Sequence, residues 1–302
     1  MTNISNDIDY SKKELIVVVG PTASGKTDLS IELAKRYSTE IISADSRQFF
    51  RQMSIGTAAP SAEQLSAVKH HFIHCRDVWE DYAAGQFEND AIELLDTLFL
   101  THDKVVVVGG SGLYIDALCK GFDDIPTVDN NLREELNEQF KSGGLEPLLE
   151  ELKLRDEKFY VLVDRANHKR VIRALEVCRA TGKPYSEQRK GEGKKRNFKI
   201  RKIGINLDRE YLYDRINRRV DIMILEGLEA EAKSVYEYRD YNSLKTVGYR
   251  EIFDYFDGKT SLENAIEMIK QNSRRYAKRQ MTWFRRDSEI EWLNSGDASS
   301  IR

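Results

Sequence analysis

One stretch constrains the fold of this chain more than any other: Gly20-Pro21-Thr22-Ala23-Ser24-Gly25-Lys26-Thr27. It follows an apolar run at 15–19 and precedes a helical pattern with Leu29 and Leu33 on one face. Strand, glycine loop and helix are the context in which G-x-x-x-x-G-K-[ST] binds phosphate. Backbone N–H groups and the helix N-terminus attract phosphate oxygens, Lys26 adds a positive charge, and the Thr27 hydroxyl is suited to ligate Mg²⁺. The sequence therefore predicts a polyphosphate site at 20–27, with Mg²⁺ as cofactor.

The rest of the apolar pattern predicts an α/β fold. A short strand at 41–44 and a β-branched run at 105–108 each lead into a polar or glycine-rich loop, as buried parallel strands do. Residues 129–188 carry helical patterns and no strand pattern, the strand pattern returns at 198–207, and two helices at about 261–270 and 271–286 close the chain. We expect a P-loop NTPase-like, doubly wound parallel sheet core with an all-helical insertion domain. The predicted bounds are a tail at 1–13, a core at 14–124 and 198–302, and the insertion at 125–197.

Composition narrows the classes of protein. The net charge is −3 and no apolar run reaches the length of a membrane span, so we expect a cytoplasmic protein with no membrane partner. Three distant cysteines indicate neither disulfides nor zinc. Two basic clusters, eight cations at 189–202 and seven at 270–286, interrupt the acidic balance. Either is by itself explained by a solvated face, but together they favour a polyanionic partner.

Several single residues remain open to more than one interpretation. Asp45, at the end of the second predicted strand, is suited to hold Mg²⁺, to accept a proton or to cap a turn. The loop 109–112 has glycine where most P-loop NTPases carry an acidic residue, which argues against an ATPase or GTPase motor. The pair His70-His71 makes a poor metal site, with a hydrogen-bonding role favoured for His71. For Trp283, core packing is favoured over stacking on a base.

The motifs together resemble one family, the tRNA dimethylallyltransferases (tRNA isopentenyltransferases). Their order and their spread over nearly the whole chain make the resemblance specific. It is carried by GPTASGKT (20–27), DSRQ (45–48), IGTAAP (55–60), GGSGLY (109–114), RALEV (173–177), VGYRE (247–251) and KRQMTWFRR (278–286).

The resemblance implies transfer of a dimethylallyl group from dimethylallyl diphosphate to N6 of the adenosine directly 3′ of the anticodon, in tRNAs reading codons that start with U. It implies that Asp45 is the general base and that Lys26, Thr27 with its Mg²⁺, and Arg215 act on the diphosphate. His70 matches a functional histidine. Contacts to the tRNA anticodon stem-loop are implied for Asp45, Ser46, Arg47, Gln48, Ser111, Arg133, Lys169, Arg170, Val171, Ile172, Arg173, Thr246, Val247, Gly248, Tyr249, Arg250 and Glu251.

Two positions depart from the family pattern: Ser111 replaces the usual threonine, and Lys169 replaces a glutamine. No Cys/His array follows Cys178, which implies a bacterial-type member, and we expect a monomer. The leading alternative is a P-loop small-molecule or nucleoside kinase that uses ATP. A non-enzymatic RNA-binding module is disfavoured because Lys26, Thr27 and Asp45 are all present.

Overall fold

A parallel β-sheet carries the site-forming loops. The computed structural model describes residues 8–123, 125–126, 128–189, 191 and 193–294. Within these residues six strands pair in the order β3-β2-β4-β1-β5-β6, all parallel. Their bounds are β1 Glu14–Val19, β2 Ile41–Ser43, β3 His70–His71, β4 Lys104–Gly109, β5 Lys199–Asn206 and β6 Ile290–Asn294.

The central strands are apolar because helices cover both of their faces. Alternate residues of β1 and β4 point to opposite sides of the sheet, so Val17 belongs to one buried cluster and Val18 to another. Each such buried side chain contributes about 1.5–3 kcal/mol relative to exposure. The register aligns Val19 with Gly109, and Ser43 with Val108. The loops after β1, β2 and β4 therefore all leave the sheet on the same side, at the carboxyl ends of the strands.

The helices fall into two groups along the chain. Described residues of Met1–Cys119 and Arg196–Arg302 form one compact unit, and those of Lys120–Lys195 form a second. The first contains α1 Lys26–Arg36, α2 Ala62–Ala67, α3 Ala84–Leu98, α4 Gly112–Lys120 up to Cys119, α10 Arg209–Leu225, α11 Leu228–Ser234, α12 Tyr249–Phe256 and α13 Leu262–Phe284. The second contains α5 Asn130–Gly143, α6 Glu146–Arg155, α7 Glu157–Leu162, α8 His168–Thr181 and α9 Tyr185–Gln188.

The second unit is helical, as the sequence predicts for 129–188. Its core consists mainly of aliphatic side chains from α5, α6 and α8, with Leu136, Leu152 and Leu175 fully buried. The predicted insertion began at 125 and ended at 197, whereas the compact unit spans Lys120–Lys195. Residues 1–7 of the predicted tail and residue 124 at the predicted boundary lie outside the described residues.

Two expectations about local structure are corrected, and two strands were not predicted. Residues 8–13 are not a loose tail, because Tyr10 packs on the core and its hydroxyl donates to Asp96 Oδ1 at 2.6 Å. The closing helices are one helix, α13, since no glycine or proline interrupts 262–284. Strands β3 and β6 were not predicted. They have only two and five residues, and such short segments give a weak sequence signal; the pairing with a neighbouring strand is visible only in the structure.

Candidate functional site

The phosphate-binding loop connects β1 to α1. Gly25 adopts φ +90°, a left-handed conformation that favours glycine, and it caps the N-terminus of α1. Lys26 is the first residue of that helix, and its Nζ donates to the Pro21 carbonyl at 2.6 Å. The ammonium group is therefore folded back over the loop, next to the cavity that Lys26 and Thr27 line.

Two buried polar atoms in this region lack partners among the described residues: Ser24 Oγ and Arg219 Nε. Both residues line the cavity. A buried donor without an acceptor costs about 1–3 kcal/mol, so these unpaired donors favour the binding of an oxygen-rich ligand.

Burial lowers the pKa of Lys26 to about 8. The charge of Arg219 acts in the same direction, and the charge of Asp45 opposes both. Burial likewise lowers the pKa of Arg219 to about 10.

The cavity has a volume of about 440 Å³ and lies within the first unit. Its lining includes two carboxylates and six cationic side chains, although the chain as a whole is acidic. A concave surface of this charge concentrates anions. The charged lining residues are Lys26, Arg47, Arg219, Lys245, Arg250 and Arg279, with Asp28 and Asp45.

The loop after β2 forms the wall opposite the phosphate loop. Asp45 Oδ1 accepts the Arg47 backbone N–H at 3.0 Å, which leaves Oδ2 without a hydrogen-bond partner among the described residues. Ser111, buried after β4, accepts the Ser46 N–H at 2.9 Å and lies 3.0 Å from the Ser46 hydroxyl. Gln48 donates to the carbonyls of residues 57 and 58 at 3.3 and 3.1 Å. The carboxylate therefore sits on a loop that is fixed from both sides.

Helix α13 supplies a wall of the cavity that the motifs alone did not assign. Ser273, Tyr276 and Gln280 lie on one face at helical spacing and line the cavity. Burial, followed by the negative charge of Asp45, raises the pKa of Tyr276 to about 12, so its phenol stays a neutral donor. The i, i+3, i+7 spacing was the available sequence signal, but it resembled an ordinary core-facing stripe.

Farther along the same helices the lining becomes apolar. Met223 lies one turn after Arg219 on α10, and Ile269 lies one turn before Ser273 on α13. With Val247, they line the cavity and belong to one hydrophobic cluster. The lining therefore combines cations with this apolar group, which we call the apolar end of the cavity.

Arg215, expected to act on the diphosphate, is not among the residues that line the cavity. Its Nε donates to the Ala23 carbonyl at 2.8 Å and its guanidinium lies over the Tyr211 ring. Arg219, one turn later, lines the cavity and contacts Thr22 Oγ1. Arg215 thus supports the loop from outside, and Arg219 faces the anion site.

The segment 246–251 divides between the cavity and the core. Thr246, Val247, Gly248 and Arg250 line the cavity. The side chains of Tyr249 and Glu251, for which RNA contacts are expected, are both buried. Tyr249 donates to Glu231 Oε1 at 2.6 Å, and Glu251 accepts the Gly248 N–H at 2.9 Å and the Asn272 side-chain N–H at 2.7 Å. These two side chains hold the loop in place.

The predicted RNA-contacting residues of the helical unit also divide. Lys169 and Arg170 are exposed on the first turn of α8. Val171 and Ile172, for which RNA contacts are also expected, are buried in the unit's core. Both Arg133 and Arg173 pair with the buried Glu176, Arg133 in bidentate geometry at 2.6 and 3.1 Å and Arg173 at 3.1 Å. The Arg133 pair joins α5 to α8 and leaves half of the Arg133 side chain exposed.

The basic clusters are partly structural. The Arg196 side chain is 10% exposed, pairs with Glu88 at 2.9 Å and donates to two backbone carbonyls of α4. Lys202, which is buried, bridges Asp287 and Glu289 at 2.7 Å each. Arg196 and Lys202 are therefore paired within the protein, and contact of 189–202 with a polyanion stays a prediction. Lys190 of that cluster lies outside the described residues.

The remaining candidates fall as follows. His70 lines the cavity, its Nδ1–H donates to the Val68 carbonyl at 2.8 Å, and its buried Nε2 has no partner in the described part of the chain. Burial lowers the pKa of His70. His71 contacts Glu40, which confirms a hydrogen-bonding role. Trp283 packs against Gly112 and donates to Asp116 Oδ2 at 2.9 Å, so the packing interpretation is confirmed.

Neither a dedicated metal cage nor a membrane-spanning helix is found within the described ranges. No group of three or more His, Cys, Asp or Glu side chains there is arranged to hold a metal ion. No helix there is long and apolar enough to cross a bilayer.

Comparison with known proteins agrees with this geometry. A family model described as IPP transferase matches residues 48–287. A "tRNA dimethylallyltransferase 1" of Bacteroides fragilis is 53% identical over 289 residues, covering 96% of each chain. The crystal structure of a Bacillus halodurans tRNA isopentenylpyrophosphate transferase is 42% identical with TM-score 0.68, covering 93% of this chain and 90% of that one. A eukaryotic dimethylallyltransferase acting on tRNA is 26% identical with TM-score 0.79, covering 95% and 75%.

Proposed function

The chain belongs to the IPP transferase family and is a tRNA dimethylallyltransferase, and we propose that the cavity beside the phosphate loop is where its two substrates meet. One observation carries the assignment of the site: a cation-rich cavity holds the phosphate loop at one wall and the Asp45 carboxylate at another. We propose dimethylallyl diphosphate as donor and N6 of the adenosine directly 3′ of the anticodon as acceptor, in tRNAs reading codons that start with U. The protein is proposed to act as a cytoplasmic monomer.

The diphosphate of the donor is proposed to lie against the phosphate loop. Lys26, Arg219 and the Ser24 hydroxyl supply charge and donors there, and Arg219 Nε and Ser24 Oγ have no hydrogen-bond partner among the residues that the structure describes. As the C–O bond breaks, the diphosphate leaves with the bonding electrons, and the cations stabilise that charge. Thr27 offers a hydroxyl oxygen for Mg²⁺, which prefers few protein ligands together with phosphate oxygens. Bound there, Mg²⁺ would neutralise charge on the leaving diphosphate.

The hydrocarbon of the donor is proposed to lie toward the apolar end, against Met223, Val247 and Ile269. Apolar surfaces exclude water from the allylic carbon, which carries positive charge in the transition state and would otherwise react with water. The spacing of Arg219 and Met223, four residues apart on α10, corresponds to about 6 Å along the helix. That distance suits a five-carbon group attached to the diphosphate.

Asp45 is proposed to be the general base. The N6 lone pair attacks the allylic carbon, the new N–C bond forms as the C–O bond breaks, and the proton of N6 passes to the carboxylate. A general base contributes roughly 10²–10⁴-fold to the rate. The adenosine must leave its stack to reach the cavity, as bases do in other enzymes that modify them.

The RNA backbone is proposed to contact exposed cations outside the cavity. Lys169 and Arg170 in the helical unit are exposed and suit phosphate oxygens. Lys169 replaces the family's glutamine, so the contact there is electrostatic and does not read a base.

The function is tested by incubating the protein with unfractionated tRNA and labelled dimethylallyl diphosphate. Label is expected in acid-precipitable RNA, on N6 of adenosine after nuclease digestion, and the Lys26→Ala and Asp45→Asn variants serve as controls. In a parallel reaction, label passing from the γ-phosphate of ATP to a small molecule, with none entering RNA, would favour the kinase alternative.

A further inference from the structure

Gln280 of α13 connects two of the loops that form the cavity. Its side chain is only 5% exposed, and both ends of its amide are used. Oε1 accepts the Thr22 backbone N–H of the phosphate loop at 2.8 Å, and Nε2 donates to the Gly110 carbonyl after β4 at 2.8 Å. One side chain thus spans the two loops from the back of the cavity.

The contacts continue from there to the loop that carries Asp45. Gly110 precedes Ser111, whose hydroxyl accepts the Ser46 N–H at 2.9 Å, and Ser46 follows Asp45. The phosphate loop is therefore joined to the Asp45 loop through a single path of short contacts: Thr22, Gln280, Gly110, Ser111 and Ser46.

The fit around Gln280 is close. A Cβ added at Gly110 would lie 2.2 Å from Gln280 Nε2, so any larger residue at 110 must displace the amide. A glutamine is suited to this position because its amide carries an acceptor and a donor on one planar group. A carboxylate lacks the donor, and an apolar side chain lacks both.

We propose that Gln280 is a positioning residue that sets the separation between the diphosphate-binding loop and the general base. The inference rests on the proposed function, since it assigns those loops to donor and acceptor. Transfer requires the allylic carbon and N6 to meet in one geometry, and a misplacement of about 1 Å costs roughly 10²-fold in rate. Each substrate binds mainly to its own loop, so loss of the connection impairs the reaction more than either binding step.

The test compares the single-turnover rate with the two dissociation constants. For Gln280→Leu, the rate at saturating dimethylallyl diphosphate and tRNA should fall about 100-fold, with each Kd changed less than about fivefold. Gln280→Glu, which keeps the acceptor toward Thr22 and loses the donor toward Gly110, should fall in the same direction and serves if the Leu variant is not folded. Gln271→Leu, a glutamine of the same helix outside the cavity lining, is the matched control.

A double-mutant cycle separates positioning from general destabilisation. Gly110→Ala should slow transfer like Gln280→Ala, because its methyl group displaces the amide. The double variant should be no slower than Gln280→Ala alone, since the methyl group occupies the vacated space. Rates that multiply, an unchanged rate in folded Gln280 variants, or a fall in rate matched by the loss of substrate affinity would overturn the inference. No transfer by the wild-type protein would contradict the proposed function, and with it this inference.

Discussion

The state of Lys26 makes the affinity for the donor depend on pH in a defined window. Burial and the neighbouring charge of Arg219 lower the pKa of Lys26 to about 8 in the free protein, below the usual 10.5. A bound diphosphate favours the charged ammonium and returns the pKa to its ordinary range or above. Because the lowered pKa belongs to a cation, the charge is present below pH 8 and is lost as the pH rises.

The magnitude follows from the two protonation states. Between pH 7 and pH 9 the protonated fraction of Lys26 in the free protein falls from about 0.9 to about 0.1, whereas in the complex it stays near 1. The Kd for dimethylallyl diphosphate should therefore rise about tenfold over this range, and binding at pH 9 should take up nearly one proton. The diphosphate itself loses its last proton with a pKa of about 6, so its charge does not change between pH 7 and pH 9.

Isothermal titration at pH 7, 8 and 9 measures both quantities when each pH is repeated in two buffers of different ionisation enthalpy. Lys26→Gln is the control: it should bind more weakly at pH 7, lose the pH dependence, and slow turnover roughly 10²–10³-fold. A wild-type Kd that stays constant from pH 7 to 9 without proton uptake would refute the reasoning. So would an equal pH dependence in Lys26→Gln, which would assign the titration to another group.

Four further sets of substitutions test other parts of the protein. Asp45→Asn should bind the donor at least as well, since a negative charge near the diphosphate is removed, while its single-turnover rate falls roughly 10²–10⁴-fold; a normal rate would exclude Asp45 as the base. Met223→Ala should enlarge the apolar end and raise the rate with geranyl diphosphate relative to dimethylallyl diphosphate, measured by competition; unchanged selectivity would place the hydrocarbon elsewhere. Replacing Lys169 and Arg170 by Gln should flatten the slope of log tRNA affinity against log salt by about 1.4 if both contact single-stranded phosphates. Arg196→Gln should instead lower the Tm and leave that slope unchanged, because Arg196 is paired inside the protein.

Local sequence was sufficient where the structure depends on neighbours in the chain. The phosphate loop needs only a buried strand, glycine where the backbone turns, and a helix start, and all of these lie within residues 14–36. The β-branched run of β4 likewise indicates a strand buried on both faces. The parallel sheet and the helical insertion follow from such patterns, and the ordered motifs identified the family.

The tertiary structure decided which side chains of a motif reach the cavity. Arg215 and Arg219 are both basic residues on one helix, and only the packing of α10 against the phosphate loop shows that Arg219 lines the cavity. Tyr249 belongs to a motif for which RNA contacts are expected, yet its side chain is fully buried. Its hydroxyl donates to Glu231, 18 residues earlier, and only the folded structure shows this pairing. A motif indicates that a segment belongs to the site. Burial in the structure then distinguishes the residues that fix the segment in place from those that line the cavity.

Long-range pairing explains the remaining differences. In the sequence Arg196 belongs to a basic cluster. In the structure it pairs with Glu88, which is 108 positions away in the chain. Strand β6 needs β5 beside it to form a ladder, and Gln280 acquires a role only because Thr22 and Gly110 approach it from distant parts of the chain. The sequence by itself determined the fold class and the strand, loop and helix around residues 20–27. Distances across the cavity depend on contacts between residues far apart in the chain. Only the folded structure could therefore decide where Asp45 lies relative to the loop at 20–27.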